Sequence, residues 1–390
     1  MGDWRFAIGL IAVQTTMKNS TSSKISSLLG IDNPLLLWML WFVPLSFLAK
    51  GRGFDPLLVF LVSGLAIVPL AAMIAHATEN IAGSVGPALG GLLNATFGNA
   101  TEMVIAIVAL SQGLVEVVKA SITGTIIANL LLALGAGMLL GGLKHPEQEF
   151  RSNVARINAS SLILALVVML TPSAIHYTSS GLNPSHINHF SLVAAGLLLA
   201  FYVLSLLFSM KTHRHLYELG INGGDGQEHD AAHGGAGRAP IGKHVRALLV
   251  ASVALVFVSE VLVSSLETAI QTLGLTQLFT GVILIPLFGG VVEYIAVISF
   301  ARKNKMDLAV SVAMGSSLQI ALFVAPVLVF AGQWMGQPMN LEFEPFELMA
   351  VAMAVVVTNS ISGDGRSNWL EGMLLLVTYG VVAAAFYFHP

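Results

Sequence analysis

Residues 92–110 read LLNATFGNATEMVIAIVAL, an apolar run interrupted by a single carboxylate, Glu102. Residues 288–300 read FGGVVEYIAVISF, with Glu293 in the same situation. Set against itself at an offset of 191, the chain aligns these stretches without a gap. Gly90 meets Gly281, Phe97 meets Phe288, Gly98 meets Gly289, Glu102 meets Glu293, Gly124 meets Gly315, and Thr125 meets Ser316. The interval from glutamate to later glycine is 22 residues in both halves, 124 − 102 and 315 − 293. Self-similarity at one fixed offset is an architectural signal before it is a chemical one.

The surroundings of these stretches name the solvent. Of 390 residues, 55% are hydrophobic and only 10% charged, against about 25% charged in soluble domains. Mean hydropathy is +0.81. A chain this poor in charge is read as a polytopic membrane protein. The net charge of −3 leaves no basic surface for nucleic acid, and the absence of cysteine excludes disulfides, thiolate metal sites and thiol nucleophiles. The apolar stretch Phe6–Val13 has no small-residue cleavage site behind it, which argues against a cleaved signal peptide.

Apolar runs between charged or Gly/Pro-rich breaks predict eleven transmembrane helices. They lie near Pro34–Ala49, Pro56–Ile74, Gly86–Leu110, Ala120–Leu143, Val154–Thr171, His189–Met210, Val245–Ser264, Gln277–Phe300, Leu308–Ala331, Phe346–Val357 and Trp369–Phe388. Lys and Arg accumulate on the cytoplasmic side of membranes. Fifteen fall on the N-terminal segment and even-numbered connections, and only Lys50, Arg52 and Lys119 on the odd ones. The N-terminus is therefore expected inside and the C-terminus outside. The expected organisation is a cytoplasmic N-terminal segment (1–33), a leading helix (34–50), a first five-helix repeat (51–210), a cytoplasmic His-containing acidic linker (211–243) and a second five-helix repeat (244–390). Because five is odd, the second repeat enters the membrane from the opposite side. Transporters built from inverted repeats bind substrate near the midplane, between the repeats.

The linker holds five of the eleven histidines when counted to residue 246. Its scattered spacing reads either as a solvated connector or as a metal-attracting loop, with no coordination geometry specified. His76 and Glu79 stand at i, i+3 without a companion pair. His176, His186 and His189 fall on the outer side, where simple solvation accounts for them, and Gly363-Asp364-Gly365 reads as a turn.

A carboxylate at a helix centre costs at least ~2.5 kcal/mol and usually faces a polar cavity. Glu102, Glu293, Glu79 and Glu260 interrupt apolar segments with no Lys or Arg in a span interior to pair with them. They must bind a cation or carry protons. On a continuous helix Gly98 and Asn99 would both neighbour Glu102, and Gly289 and Gly290 would neighbour Glu293. The glycines would uncover backbone carbonyls for a hard cation such as calcium, which takes six to eight oxygens. An emptied site leaves two like charges together, so protons and cation compete for the same oxygens. Gln319 is an uncharged oxygen donor inside a span; it, Thr125, Ser316 and Asn129 serve either the site or helix packing.

The stretch Leu92–Glu102 closely resembles the first signature repeat of the cation/proton exchanger family of calcium/proton antiporters. Met314–Pro326 likewise resembles the end of that family's second repeat, and Lys211-Thr212-His213 is similar to a family element at the same place. The resemblance spans roughly residues 34–390. It implies one leading helix plus two inverted five-helix repeats, with calcium bound by Glu102 and Glu293. It also implies that Glu79, Glu260 and Gln319 belong to a proton-facing path. The likeness breaks at one point: the family's second repeat commonly reads Gly-Asn-Ala-Ala-Glu-His, whereas here stands Gly289-Gly290-Val291-Val292-Glu293-Tyr294.

The expected function is secondary exchange of cytosolic calcium for protons by alternating access. Gly98, Asn99, Glu102, Gly289, Gly290 and Glu293 form the metal site, with Glu79, Glu260, Gln319, Thr125 and Ser316 in a proton-coupling shell. No cofactor, catalytic residue or nucleic acid partner is expected; the chain is compatible with a homo-oligomer, and its short linker suggests a bacterial inner membrane. Rival readings are sodium- or potassium-coupled exchange, monovalent cation/proton antiport, and a cation channel. An intramembrane enzyme is disfavoured by the lack of cysteine, paired aspartates or a full zinc motif.

Overall fold

A computed structural model describes residues 34–85, 87–179, 184–217 and 241–389. The N-terminal segment and most of the His-containing linker lie outside the described residues, and with them the expectations about a leader and a metal-attracting loop.

The regular structure among the described residues is helical apart from one two-stranded ribbon. In order, α1 is Pro34–Gly51, α2 Pro56–Val85, α3 Pro87–Phe97, α4 Ala100–Ser111 and α5 Val115–Gly142. Then come α6 Ser152–Thr178, α7 Ser185–Thr212, α8 Ile241–Leu273, α9 Gln277–Gly289 and α10 Val291–Arg302. The last three are α11 Met306–Met335, α12 Pro345–Ile361 and α13 Trp369–Phe388. Eight of the described helices are long and apolar enough to cross a membrane. Two pairs, α3 with α4 and α9 with α10, pass that test only together and are bent by 43° and 61°. Helix α12 is apolar but only 17 residues long.

Several helices outrun their expected ends, for a local reason. Helix α2 continues past Ile74 through His76, Thr78, Glu79, Asn80 and Ser84. Asn80 Nδ2 donates to His76 O (2.8 Å) and Ser84 Oγ to Asn80 O (2.7 Å), so polar side chains fold back on the preceding turn instead of ending the helix. Helices α2 and α8, of 30 and 33 residues, pack along each other around the fully buried Ile67, Leu255 and Val258. At ~1.5 Å per residue each spans roughly 45–50 Å, well beyond a hydrocarbon core. Helix α5 starts at Val115 instead of Ala120, which moves Lys119 from the expected connection into the opening turns of a helix. There it is 7% exposed and paired with Glu116 at 3.2 Å. The snorkelling reach of its stem allows this near a helix end.

The 191-residue register persists in the backbone. Helices α4 and α10 begin and end 191 residues apart (291 − 100 and 302 − 111), and α5 and α11 begin 191 apart (306 − 115). Each of the latter pair carries a π-helical turn one-half of the way along, Ala128–Ala133 and Ile320–Val324. Such turns inside α-helices concentrate at functional sites. Helix α5 meets α9 at glycine contacts: a Cβ on Gly124 would fall 2.2 Å from Val282 O, and one on Gly281 2.4 Å from Ala120 Cβ.

A short ribbon pairs β1 (Gln148–Glu149) antiparallel with β2 (Arg366–Ser367). Gln148 Nε2 also donates to Ala301 O (2.8 Å) and Asn304 Oδ1 (3.0 Å), and Arg151 is ion-paired with Asp307. Connections distant in sequence are thereby fastened at one end of the bundle. Arg366 N bonding to Asp364 Oδ1, and Gly365 at φ 78°, make the expected turn ahead of β2.

Candidate functional site

The site is built on two interruptions. The expectation of continuous helices through Gly98–Glu102 and Gly289–Glu293 is corrected: both break at these residues. Asn99 sits at φ −113°, ψ 33° and Gly290 at φ −84°, ψ 8°, each as the N-cap of the following half-helix. Glu102 and Glu293 then occupy the first turns of α4 and α10. The glycines do not open a continuous helix wall; they permit a break that aims a helix N-terminus into the bundle. Free N–H groups and the positive end of the helix dipole lie there, an environment that tolerates negative charge. Discontinuous helices of this kind form ion sites in membrane transporters.

Both oxygens of Glu102 and Oε2 of Glu293 are buried with no hydrogen-bond partner among the described residues. The two breaks face one another: a Cβ on Gly289 would lie 3.3 Å from Glu102 Cγ and 3.6 Å from its Oε1. An alanine at 289 would crowd the carboxylate of the opposite half.

Beside Glu102 runs a chain of amides and hydroxyls. Asn99 Nδ2 donates to Gln319 Oε1 (2.5 Å), Ser316 Oγ to Asn99 Oδ1 (2.7 Å), and Asn129 Nδ2 to Ser316 Oγ (2.9 Å). Asn129 Oδ1 is buried without a partner. Gln319 Oε1 would stand 2.9 Å from a Cβ at Gly98, so glycine there admits the amide to the break. Gln319 and Ser316 thus bond directly to Asn99, one of the residues expected at the metal site. Asn129 belongs with them; its signal was a buried amide one helical turn after Thr125.

Other expected residues stand apart. Thr125 Oγ1 donates to Ser121 O of its own helix (2.8 Å) and does not reach the network. Glu79 and Glu260 are exposed and have no hydrogen bond or ion pair among the described residues. Their neighbours Thr78 and Ser259 turn inward instead, buried with unpartnered hydroxyls. Sequence reading missed both, although each precedes a membrane glutamate in matching fashion. His76 and His244 approach with ring centroids 6.4 Å apart. His176 is not simply solvated: its Nδ1 lies 3.0 Å from Glu342 Oε1.

Two tyrosines reach backbone carbonyls near the breaks. Tyr202 Oη donates to Ala95 O (2.8 Å), and Tyr294 Oη donates to Pro286 O (2.9 Å).

Chemically the centre offers oxygen: two carboxylates, amide oxygens and hydroxyls, with no basic side chain bonded to them. Among the described residues no three His, Asp or Glu converge. A cation held here would complete its shell with amides, hydroxyls, carbonyls or water, the ligand set of hard cations such as calcium.

A bundle of membrane-length helices with buried carboxylates at two opposed breaks defines an integral membrane protein with a candidate cation site. The chain matches the family described as sodium/calcium exchanger protein over residues 56–211 and 243–388. It is 53% identical over 366 residues to the Ca(2+)/H(+) antiporter of Aphanothece halophytica, covering 92% of this chain and 97% of that one. It is 50% identical over 370 residues to the Ca(2+)/H(+) antiporter of Synechocystis, covering 93% and 99%. The solved structure of native YfkE superposes with a TM-score of 0.78 at 34% identity, covering 91% of this chain and all of that one. This chain belongs to the sodium/calcium exchanger protein family.

Proposed function

We propose that this protein is a secondary active transporter that exchanges cytosolic calcium for protons at Glu102 and Glu293. The observation that carries the reading is the pair of buried carboxylates, unpartnered by any base and set against each other across two helix breaks. Calcium binding neutralises both; its departure leaves like charges in a low-dielectric site, which proton uptake relieves. One set of oxygens thus serves both ions in turn, and coupling needs no second site. The names carried by the relatives support calcium and protons as the exchanged pair.

In this reading eleven helices cross the membrane: the eight long ones, the two broken pairs, and the short α12. A leading helix (34–50) precedes two inverted five-helix repeats (51–210 and 244–390), related by the 191-residue register. The N-terminus and the 211–243 linker face the cytoplasm, and the membrane is a bacterial inner membrane. Gly98, Asn99, Gly289 and Gly290 shape the ion site. Gln319 and Ser316 orient Asn99, while Glu79 and Glu260 lie along the proton path; Thr125, bonded within its own helix, serves packing.

The test is calcium uptake into proteoliposomes under an imposed acid-inside pH gradient, with a proton ionophore control. Gradient-driven uptake abolished by ionophore and by Glu102→Gln is the expected result. Uptake that ignores the pH gradient and follows trapped sodium or potassium would overturn proton coupling. Rapid uptake down the calcium gradient alone would indicate a channel.

A further inference from the structure

The two breaks are built on equivalent positions but are filled differently, and the difference falls on Gly290 and Tyr294. At the first break Asn99 sends its side chain to Gln319 and Ser316. The equivalent residue 191 positions on is Gly290, which has no side chain to send. Its space is nonetheless occupied. A Cβ on Gly290 would lie 2.7 Å from Tyr294 Oη, 2.8 Å from Cζ and 2.9 Å from Cε1. These are distances that real Cβ atoms do not adopt, and the obstacle is the rigid end of an aromatic ring 8% exposed. Tyr294 therefore lies where the first atoms of a side chain at 290 would begin.

Its hydroxyl also has a task. A helix break releases the carbonyl that residue i+4 would have bonded, and a buried carbonyl left alone is costly. At the first break that carbonyl is Ala95 O, and Tyr202 from α7 bonds it. The equivalent carbonyl at the second break, Pro286 O (286 − 95 again gives 191), keeps its i+4 bond and gains a second donor. It accepts both the Gly290 N–H (2.9 Å) and the Tyr294 hydroxyl (2.9 Å). A tyrosyl hydroxyl thus holds the same carbonyl in both halves, supplied by a remote helix in one and by the broken helix itself in the other.

We propose that Tyr294 is a positioning and specificity-determining residue of the ion site. It takes the place of a side chain at 290 and pins Pro286 O. It thereby sets the break whose Gly289 rests against Glu102, and it leaves the second break without an amide of its own. The ion shell is lopsided in consequence, with side-chain oxygens beyond the carboxylates coming from the Asn99 side only. Gly290 and Tyr294 form an interlocked pair: a side chain at 290 requires the ring to leave, and loss of the hydroxyl loosens the break. The proposal rests on the cation-exchange reading above.

The experiment measures calcium KM and Vmax, and competition by manganese and strontium, in proteoliposomes of the full chain. The variants are Tyr294→Phe, Tyr294→Leu, Gly290→Asn and the doubles Gly290→Asn/Tyr294→Leu and Gly290→Asn/Tyr294→Phe, with monodispersity recorded for each. Tyr294→Phe is expected to raise KM roughly 3- to 10-fold, the effect of one lost hydrogen bond, with Vmax within about twofold. Gly290→Asn is expected to fail or aggregate, to stay defective with Phe at 294, and to recover transport with Leu there. The recovered double variant is expected to rank manganese and strontium differently from the parent. A Tyr294→Phe protein with parental KM and ion ranking would overturn the proposal. So would a Gly290→Asn protein that works beside Tyr294, or a Leu double variant no better than the single. If the parent protein itself shows no proton-coupled calcium uptake, the functional reading fails instead, whatever the variants do.

Discussion

At the first break, Asn99 reaches across to Gln319 and Ser316 on α11, and through Ser316 to Asn129 on α5. At the second, Gly290 reaches nowhere, and Tyr294 folds back over it from one turn downstream. The carboxylates are matched, yet one break is tied into its neighbours by four polar side chains and the other is closed by its own helix. Duplicated backbone geometry does not require duplicated contacts. What both halves do supply is a buried carboxylate at a helix start and a tyrosyl hydroxyl on the equivalent carbonyl, Ala95 O or Pro286 O.

The carboxylates should be the part of the comparison that cannot be broken separately. Glu102→Gln and Glu293→Gln are each expected to lower calcium transport by more than about 100-fold, beyond the 10- to 100-fold typical of residues behind a metal ligand. A variant retaining transport would show that one half suffices. Ser316→Ala comes next, since it strips the bond to Asn99 Oδ1 and the acceptor of Asn129. About a 10-fold loss of calcium affinity is expected, measured as KM, with the protein still monodisperse. Its counterpart Thr125→Val should change KM by less than about twofold, because Thr125 bonds only its own helix. Equal effects of these two would erase the asymmetry. Smallest is Tyr202→Phe, which leaves Ala95 O unpaired and should cost about 1 kcal/mol of stability by thermal unfolding.

Much of this was legible in the chain. The offset of 191 picked out Glu102 and Glu293, and hydropathy located the helices. It misplaced their ends where back-bonding side chains such as Asn80 and Ser84 carry polar residues along the backbone. The breaks themselves were not legible. Gly98-Asn99 and Gly289-Gly290 fit a helix as spacings, and only packing shows that the chain stops and restarts there. Nor could spacing separate Ser316, which turns to Asn99, from Thr125, which turns to Ser121. Rotamers are decided by neighbours from the other half. Tyr294 could be seen as a departure from a family pattern, but not as the occupant of the space at residue 290.

The small ribbon has a mechanical consequence. Gln148 and Glu149 pair with Ser367 and Arg366, Gln148 also holds Ala301 and Asn304, and Arg151 grips Asp307. Together these strap the ends of α5, α6, α10, α11, α12 and α13 into one frame. Any rearrangement that opens the carboxylates first to one face and then to the other must either tear the strap or happen elsewhere. The long pair α2 and α8 has no part in it. These two struts, packed along each other and each longer than the membrane is thick, thus stand outside the clamped frame.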